Sequence, residues 1–132
     1  MSNPLGARHL IQHSEVLIMQ NEFYQDLFAS FGDIKMRKMF GVAGIYCDGL
    51  FFAIIADNEL WLKVDTETRA AFEAIGAEQF IFEMKKKSSS TPYYKAPEDI
   101  FDDEDNLHYW TQLALGAALR NKTSPKSKKR AR

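Results

Sequence analysis

Cysteine is almost absent from this chain. Cys47 stands alone, which excludes an internal disulfide framework and any zinc site built from several thiolates. Within an apolar stretch, a lone cysteine reads as a small buried hydrophobe. Glycine is also sparse, and its seven residues never form Gly-x-Gly-x-x-Gly or a loop ending in Gly-Lys-Ser/Thr. That excludes the usual phosphate cradles, because Gly41 and Gly44 lead into a strand where such a motif needs a helix. Long apolar runs are missing as well. The longest, Leu50 to Ala56, falls far short of the roughly 18–20 residues a membrane helix requires. The N-terminus lacks a basic segment followed by an apolar one, so no signal peptide and a cytoplasmic location are expected.

Catalytic and metal-binding constellations are equally thin. His9 and His13 are four residues apart, yet no third ligand follows at metal spacing, and the pair reads as solvated. Asp102-Asp103-Glu104-Asp105 lacks the alternating oxygen ligands, central glycine and terminal glutamate of a calcium loop. Those adjacent acids suit the start of a helix, where the backbone dipole favours negative charge. Ser88-Ser89-Ser90 has no histidine and carboxylate in register, so it forms no triad. No catalytic residue, cofactor site or metal site is expected, and the chain reads as a non-enzyme.

What is present is ordinary globular material: 132 residues, 45% hydrophobic and 27% charged, enough for one domain with a real core. The net charge of -1 conceals an asymmetry. Residues 120–132 hold seven Lys/Arg and no acid, which leaves ten Lys/Arg against eighteen Asp/Glu in the first 119. An acidic body therefore precedes a basic tail.

Taken in order, residues 1–13 read as an N-terminal arm, since Pro4 and Gly6 oppose a regular helix. Ser14 is a candidate N-cap for a helix whose apolar face runs Leu17, Tyr24, Leu27 or Phe28, and Phe31, with Gly32 as its stop. Ile34 to Met39 reads as a first strand, and Gly41 and Gly44 bracket the next. Asp48-Gly49 is a hairpin turn of the positive-φ kind, and Asp57-Asn58 does the same before Glu59 to Lys63. In that strand Leu60 and Leu62 share one face, with Trp61 and Lys63 on the other. Asp65 is expected to cap a helix from Thr66 to about Ile75, with Phe72 and Ile75 inward and Gly76 as terminator. Phe80 to Phe82 predicts a short strand, Lys85 to Pro92 a polar loop, and Pro92 to Pro97 a short edge strand. A helical turn from Glu98 to Phe101 precedes a last helix with Leu107, Trp110, Leu113 or Ala114, and Ala117 inward. From Asn121 onward the composition predicts disorder.

Several ordered segments together resemble one family. Arg37-Lys38-Met39-Phe40-Gly41, then Gly44-Ile45-Tyr46 with Asp48-Gly49 and Phe52-Ala53, then Asp57, Glu59-Leu60 and Leu62-Lys63 are similar to the N-terminal domain of the TfoX (Sxy) competence regulators. Thr68-Arg69-Ala70, Phe72-Glu73, Gly76, Pro92-Tyr93-Tyr94, Ala96-Pro97-Glu98 and the closing Trp110, Leu113-Ala114-Leu115, Ala117-Ala118-Leu119 continue the resemblance over roughly residues 14–121. It implies an α+β fold: a single antiparallel sheet of about five or six strands packed by N-terminal, middle and C-terminal helices, as in secretion chaperones. It also implies a non-enzymatic role in gene regulation, which members exercise on competence genes together with a cyclic-AMP-dependent activator. Those regulators carry a second helical domain, whereas this chain has a basic tail over 122–132. It therefore resembles a stand-alone member.

The expected partners are a protein, such as an activator or part of the transcription machinery, and nonspecific nucleic acid held by cations. A homodimer through an apolar sheet face is a further expectation, and no membrane contact is. The candidate contact residues are Arg37 and Lys38 in the sheet, Lys85, Lys86 and Lys87 in the polar loop, and Lys122, Lys126, Lys128, Lys129, Arg130 and Arg132 in the tail. The competing reading is a small-ligand domain or cryptic enzyme, with Tyr46, Trp61, Tyr93 and Tyr94 lining a pocket between sheet and helices.

Overall fold

Two tight turns set the centre of the sheet. Asp48 and Gly49 have φ of 50° and 85°, and Asp57 and Asn58 have 55° and 62°. Positive φ at both central residues matches the right-handed twist of flanking strands, so each pair closes a hairpin. In the computed structural model, which describes residues 13–39, 41–84 and 87–123, these turns join β2 (Val42–Cys47), β3 (Leu50–Ala56) and β4 (Glu59–Lys63). The remaining elements are α1 (His13–Phe28), β1 (Ile34–Met39), α2 (Arg69–Ala74), β5 (Gln79–Met84), β6 (Lys87–Lys95) and α3 (Glu104–Thr123). Six strands form one antiparallel sheet in the order β1-β2-β3-β4-β6-β5, so the expected α+β class is correct.

The helices pack on one face, called inner here. Phe28 of α1 meets Phe52 edge-on at 5.1 Å, and Phe72 of α2 meets Trp110 of α3 at 4.8 Å. Phe28, Ile45, Phe52, Leu62, Phe72 and Ile100 are fully buried there, with Ala114 and Ala118 of α3 against the sheet. The small alanines let the helix approach closely, which is why its apolar face is modest in side-chain volume yet well buried.

Local chemistry closes the joints. Gly32 ends the 3-10 turn Ala29–Phe31 at φ 153° and ψ -162°, a region open essentially to glycine alone. A Cβ there would strike the Asp48 carboxylate and sit 2.8 Å from the Cys47 sulfur. Gly76, at φ 70°, donates to Glu73 O at 3.0 Å while Ala77 donates to Phe72 O at 3.0 Å, the paired bonds of a glycine-terminated helix. Asp103 caps α3 by accepting from Asp105 N at 2.9 Å, so the acid cluster serves the helix start as expected.

Five expectations change. Helix α1 already contains Ser14, which therefore does not precede it as a cap. Gly44 lies inside β2, opposite Arg37 and Ile54, and does not bracket the strand. Ile75 is 50% exposed, because α2 ends at Ala74 and the chain turns away before Ile75 can reach the core. Helix α3 runs on to Thr123, which puts Lys122 in its last turn. The largest correction is at Lys85 to Pro92. Residues from Lys87 extend as β6, and β6 lies between β4 and β5 rather than at an edge.

Proline survives inside the sheet because the ladder is broken beside it. Gln79 pairs with Tyr94 but Ile81 pairs with Ser90, so β6 carries two extra residues around Pro92. Side chains satisfy the bulge: Gln79 Nε2 donates to Thr91 O at 2.8 Å, and Thr91 Oγ1 donates to Phe80 O at 2.9 Å. The Pro92 carbonyl accepts from Val64 N at 2.8 Å.

Candidate functional site: the outer face of the sheet

Of the eleven candidate contact residues, the sheet pair divides between two faces. Strand alternation puts Ile34 and Met36 inward, so Lys35 and Arg37 point outward. Lys38 falls on the inner side, at the rim of an open groove of about 270 Å³ that also includes Gln20 of α1 and Asn58. The two neighbours therefore cannot serve one contact. Lys122 is exposed on α3, and Lys87 is placed by its backbone in β6. Lys85, Lys86, Lys126, Lys128, Lys129, Arg130 and Arg132 lie outside the described residues.

A bulge creates the outer face. Ile45 pairs with Ala53 but Tyr46 pairs with Phe51, leaving Phe52 as an extra residue. Phe52 and Ala53 consequently both serve the inner core, while Phe51, Ile54 and Ala56 turn outward. Register then builds two rows across five strands. The first runs Lys35, Tyr46, Phe51, Lys63, Tyr93, and the second Arg37, Gly44, Ile54, Trp61, Lys95. Among the described elements no helix packs on these rows.

The first row is a cation held among rings. Tyr46 and Phe51 stack at 4.8 Å and 18°. The Lys63 ammonium lies 4.8 Å from the Phe51 centroid and 5.7 Å from that of Tyr93. Ring faces attract it, but Lys63 is 8% exposed and has no ion pair among the described residues. Burial pushes its pKa down to about 8. Burial also pushes the Tyr93 phenol up, with the Tyr46 phenol adding to the shift. In the second row Trp61 is buried against Phe80 at 5.0 Å and donates from Nε1 to Ala56 O at 3.1 Å.

Charge on this face reverses that of the body. Lys35, Arg37, Lys63 and Lys95 are four of the eight described Lys/Arg side chains. Of the sixteen acids whose side chains are described, Glu59 alone shares the face from a strand position, and it pairs with Lys95 at 3.0 Å. Lys35 and Arg37 are exposed, and Tyr46 and Phe51 half-buried.

Sequence reasoning reached Arg37 but missed Lys35, Lys63, Tyr46, Phe51 and Tyr93 as one surface. Alternation in Glu59 to Lys63 was the available signal, since it already separated Trp61 and Lys63 from the core leucines. The Phe52 bulge hid the rest. The expected aromatic pocket does not form. Tyr46, Trp61 and Tyr93 stand on the outer face, whereas Tyr94 is in the inner core with its hydroxyl 3.4 Å from Glu73 Oε2.

One corner of the face adjoins the end of α3. Lys63, Pro92, Arg120 and Asn121 line an open groove of about 460 Å³. Arg120 is anchored there by Asp65, with Nε to Oδ2 at 2.6 Å and Nη2 to Oδ1 at 3.1 Å. Asp65 also accepts from Glu67 N at 3.0 Å and Thr68 N at 3.2 Å, which closes the turn before α2; the helix itself starts at Arg69 with Thr68 at its N-cap, not at Thr66 as expected. The Arg120 hydrogen bond, foremost, holds the Asp65 carboxyl below its ordinary value. Asp65→Ala is expected to cost about 1–2 kcal/mol at pH 7 in urea unfolding. Because the folded pKa is depressed, that difference is full above about pH 4 and disappears as pH falls through the folded value.

No group of three His, Cys, Asp or Glu that could hold a metal occurs among the described residues, and none of their helices is long and apolar enough to cross a membrane. Fold and surface together define a small α+β domain with four of its described Lys/Arg side chains on one sheet face. The chain belongs to the TfoX N-terminal domain family, whose model matches residues 26–118. It is similar to Protein Sxy of Escherichia coli, 24% identical over 106 residues that cover 80% of this chain and 51% of that protein. It is also similar to DNA transformation protein TfoX1 of Aliivibrio fischeri, 25% identical over 88 residues that cover 67% of this chain and 42% of that one. The chain thus spans about half the length of these curated relatives.

Proposed function

We propose that the protein is a non-enzymatic regulator of gene expression, in DNA uptake or a related programme, acting through protein contacts with its basic tail as an auxiliary nucleic-acid arm. Family membership carries this reading, together with a relative whose name ties it to DNA transformation. A surface fit for a protein partner supports it. Phe23 of α1 and Phe101, 50% and 40% exposed, lie 6.0 Å apart beside Glu22, Asp99 and Asp102. Exposed aromatic pairs of this kind are poor surface choices for a protein that contacts nothing.

The test is transcript profiling in cells lacking the native copy. Restoring the chain is expected to change the transcripts of a defined gene set, and a folded Phe23→Glu/Phe101→Glu variant is expected to lose that change. If the intact chain alters no transcript, the regulatory reading fails. If the double variant acts like the parent, the partner surface lies elsewhere.

A further inference from the structure

We infer that the outer sheet face is a docking surface for single-stranded nucleic acid, with Lys35 and Arg37 meeting phosphates and Tyr46 offering a ring to a base. The inference rests on the nucleic-acid half of the reading above and moves the recognition from the tail to the folded domain.

Charge complementarity carries it. Among the residues whose side chains are described, an acid-rich body gathers half of its cations on one face and puts a single acid, Glu59, on that face from a strand. Such a local field attracts polyanions even where the net charge is negative. Lys35 and Arg37 are two apart on β1, so both project outward along one edge of the face. Lys35 makes one ion pair among the described residues, 3.5 Å to an exposed Asp33, and its own exposure leaves it accessible to a phosphate. Lys63 extends the positive field inward without a carboxylate of its own among the described residues. Burial holds its ammonium at about 8, a cost that an approaching phosphate would reverse.

The shape selects a single strand over a duplex. A base in a duplex shows only its edges in the grooves, and reading them takes a protruding helix or ribbon. The face here is a sheet surface whose cations and rings are set in rows. Unpaired bases and a flexible backbone suit that arrangement, with stacking on rings and cations tracking phosphates. Phe51 is flanked by Tyr46 and by Lys63, so the half-buried Tyr46, next to Lys35 in the register, is the ring nearest the exposed cations.

Continuity with the tail adds a second argument. Helix α3 ends beside Lys63 and Pro92, and residues 124–132, with Lys126, Lys128, Lys129, Arg130 and Arg132, continue from that corner. Fully extended, nine residues span about 30 Å, enough to follow a strand leaving the face.

The experiment is fluorescence anisotropy with a labelled oligothymidine and with a duplex of equal length, at two salt concentrations. Four full-length chains are compared: the parent, Lys35→Glu/Arg37→Glu, Tyr46→Ala, and one with the five tail cations changed to glutamine. The parent is expected to bind the single strand at least about tenfold more tightly than the duplex. The charge-reversed variant should lose at least about tenfold, with a salt slope lower by about 1.4, the loss of two phosphate contacts. Tyr46→Ala should lose about fivefold or more for the single strand alone. Circular dichroism and the unfolding midpoint confirm folding, and Lys35 and Arg37 are exposed side chains whose reversal leaves the core intact.

Parental binding by both face variants would overturn the inference. If the tail variant alone loses affinity in that case, the tail reading stands while this one falls. No binding by the parent would remove both. Equal affinity for duplex and single strand would also contradict it, as would light scattering that shows a dimer insensitive to oligonucleotide and broken by Tyr46→Ala.

Discussion

Lys63→Met is expected to make the protein more stable at pH 7, by about 1–3 kcal/mol in urea unfolding. The ammonium is buried, its pKa is pushed down to about 8, and no carboxylate repays its lost hydration among the described residues. The Phe51 and Tyr93 rings offset part of that cost, which sets the lower end of the range. The sign with pH follows from linkage. Below about 8 the lysine is charged in both folded and unfolded chains, so the full penalty applies. Between about 8 and the ordinary value of 10.5 the folded protein releases a proton that the unfolded chain keeps, and stability from this group rises. Parent and variant should therefore converge as pH climbs from 7 toward 9.5. Above that range the buried Tyr93 phenol begins to work the other way, since its raised pKa favours the folded state only while tyrosine stays protonated. A loss of more than about 1 kcal/mol for Lys63→Met at pH 7 would show that the ammonium is well satisfied where it lies.

A cation that destabilises its own fold is the kind of local inconsistency that marks a working surface. Lys63→Met should accordingly weaken oligonucleotide binding while it strengthens the fold, the usual opposition between stability and function.

Phe72→Ala is expected to cost about 3–5 kcal/mol of stability. Phe72 is fully buried where α2, α3 and β6 meet, 4.8 Å from Trp110 and 5.8 Å from Tyr94. Helix α2 has six residues, too few to persist without that anchor. Ile75→Ala, three positions on, should change stability by no more than about 0.5 kcal/mol, because Ile75 is half exposed. Urea midpoints at constant slope measure both. Similar costs for the two substitutions would mean that α2 packs differently.

That pair also shows where reading the sequence succeeds and where it stops. Hydrophobic spacing identified α2 and its Gly76 terminator, but it could not tell that the helix closes at Ala74 and leaves Ile75 outside. The central hairpins were legible because Asp48-Gly49 and Asp57-Asn58 are among the few pairs that tolerate positive φ twice. The β5–β6 hairpin was not. Its outer half is lysine, serine and threonine, whose pattern reads as loop, and its pairing is local backbone chemistry with no apolar signature on β6. Pro92 argued for an edge because the bulge that accommodates it leaves no mark in composition. The outer face suffered most. Alternation through Leu50 to Ala56 changes phase at Phe52, so counting by two from either end assigns half the strand to the wrong side. Once the bulge is known, Lys35, Tyr46, Phe51, Lys63 and Tyr93 fall into one row.

A nuclear magnetic resonance titration of the labelled, full-length chain with oligothymidine tests the sheet-face account most directly. Shifts are predicted to concentrate at Lys35, Arg37, Tyr46, Phe51, Lys63 and Tyr93, with the Lys63 ammonium pKa rising from about 8 as phosphate approaches. Shifts confined to the tail or to α1 and α2, with Lys63 unmoved, would contradict it.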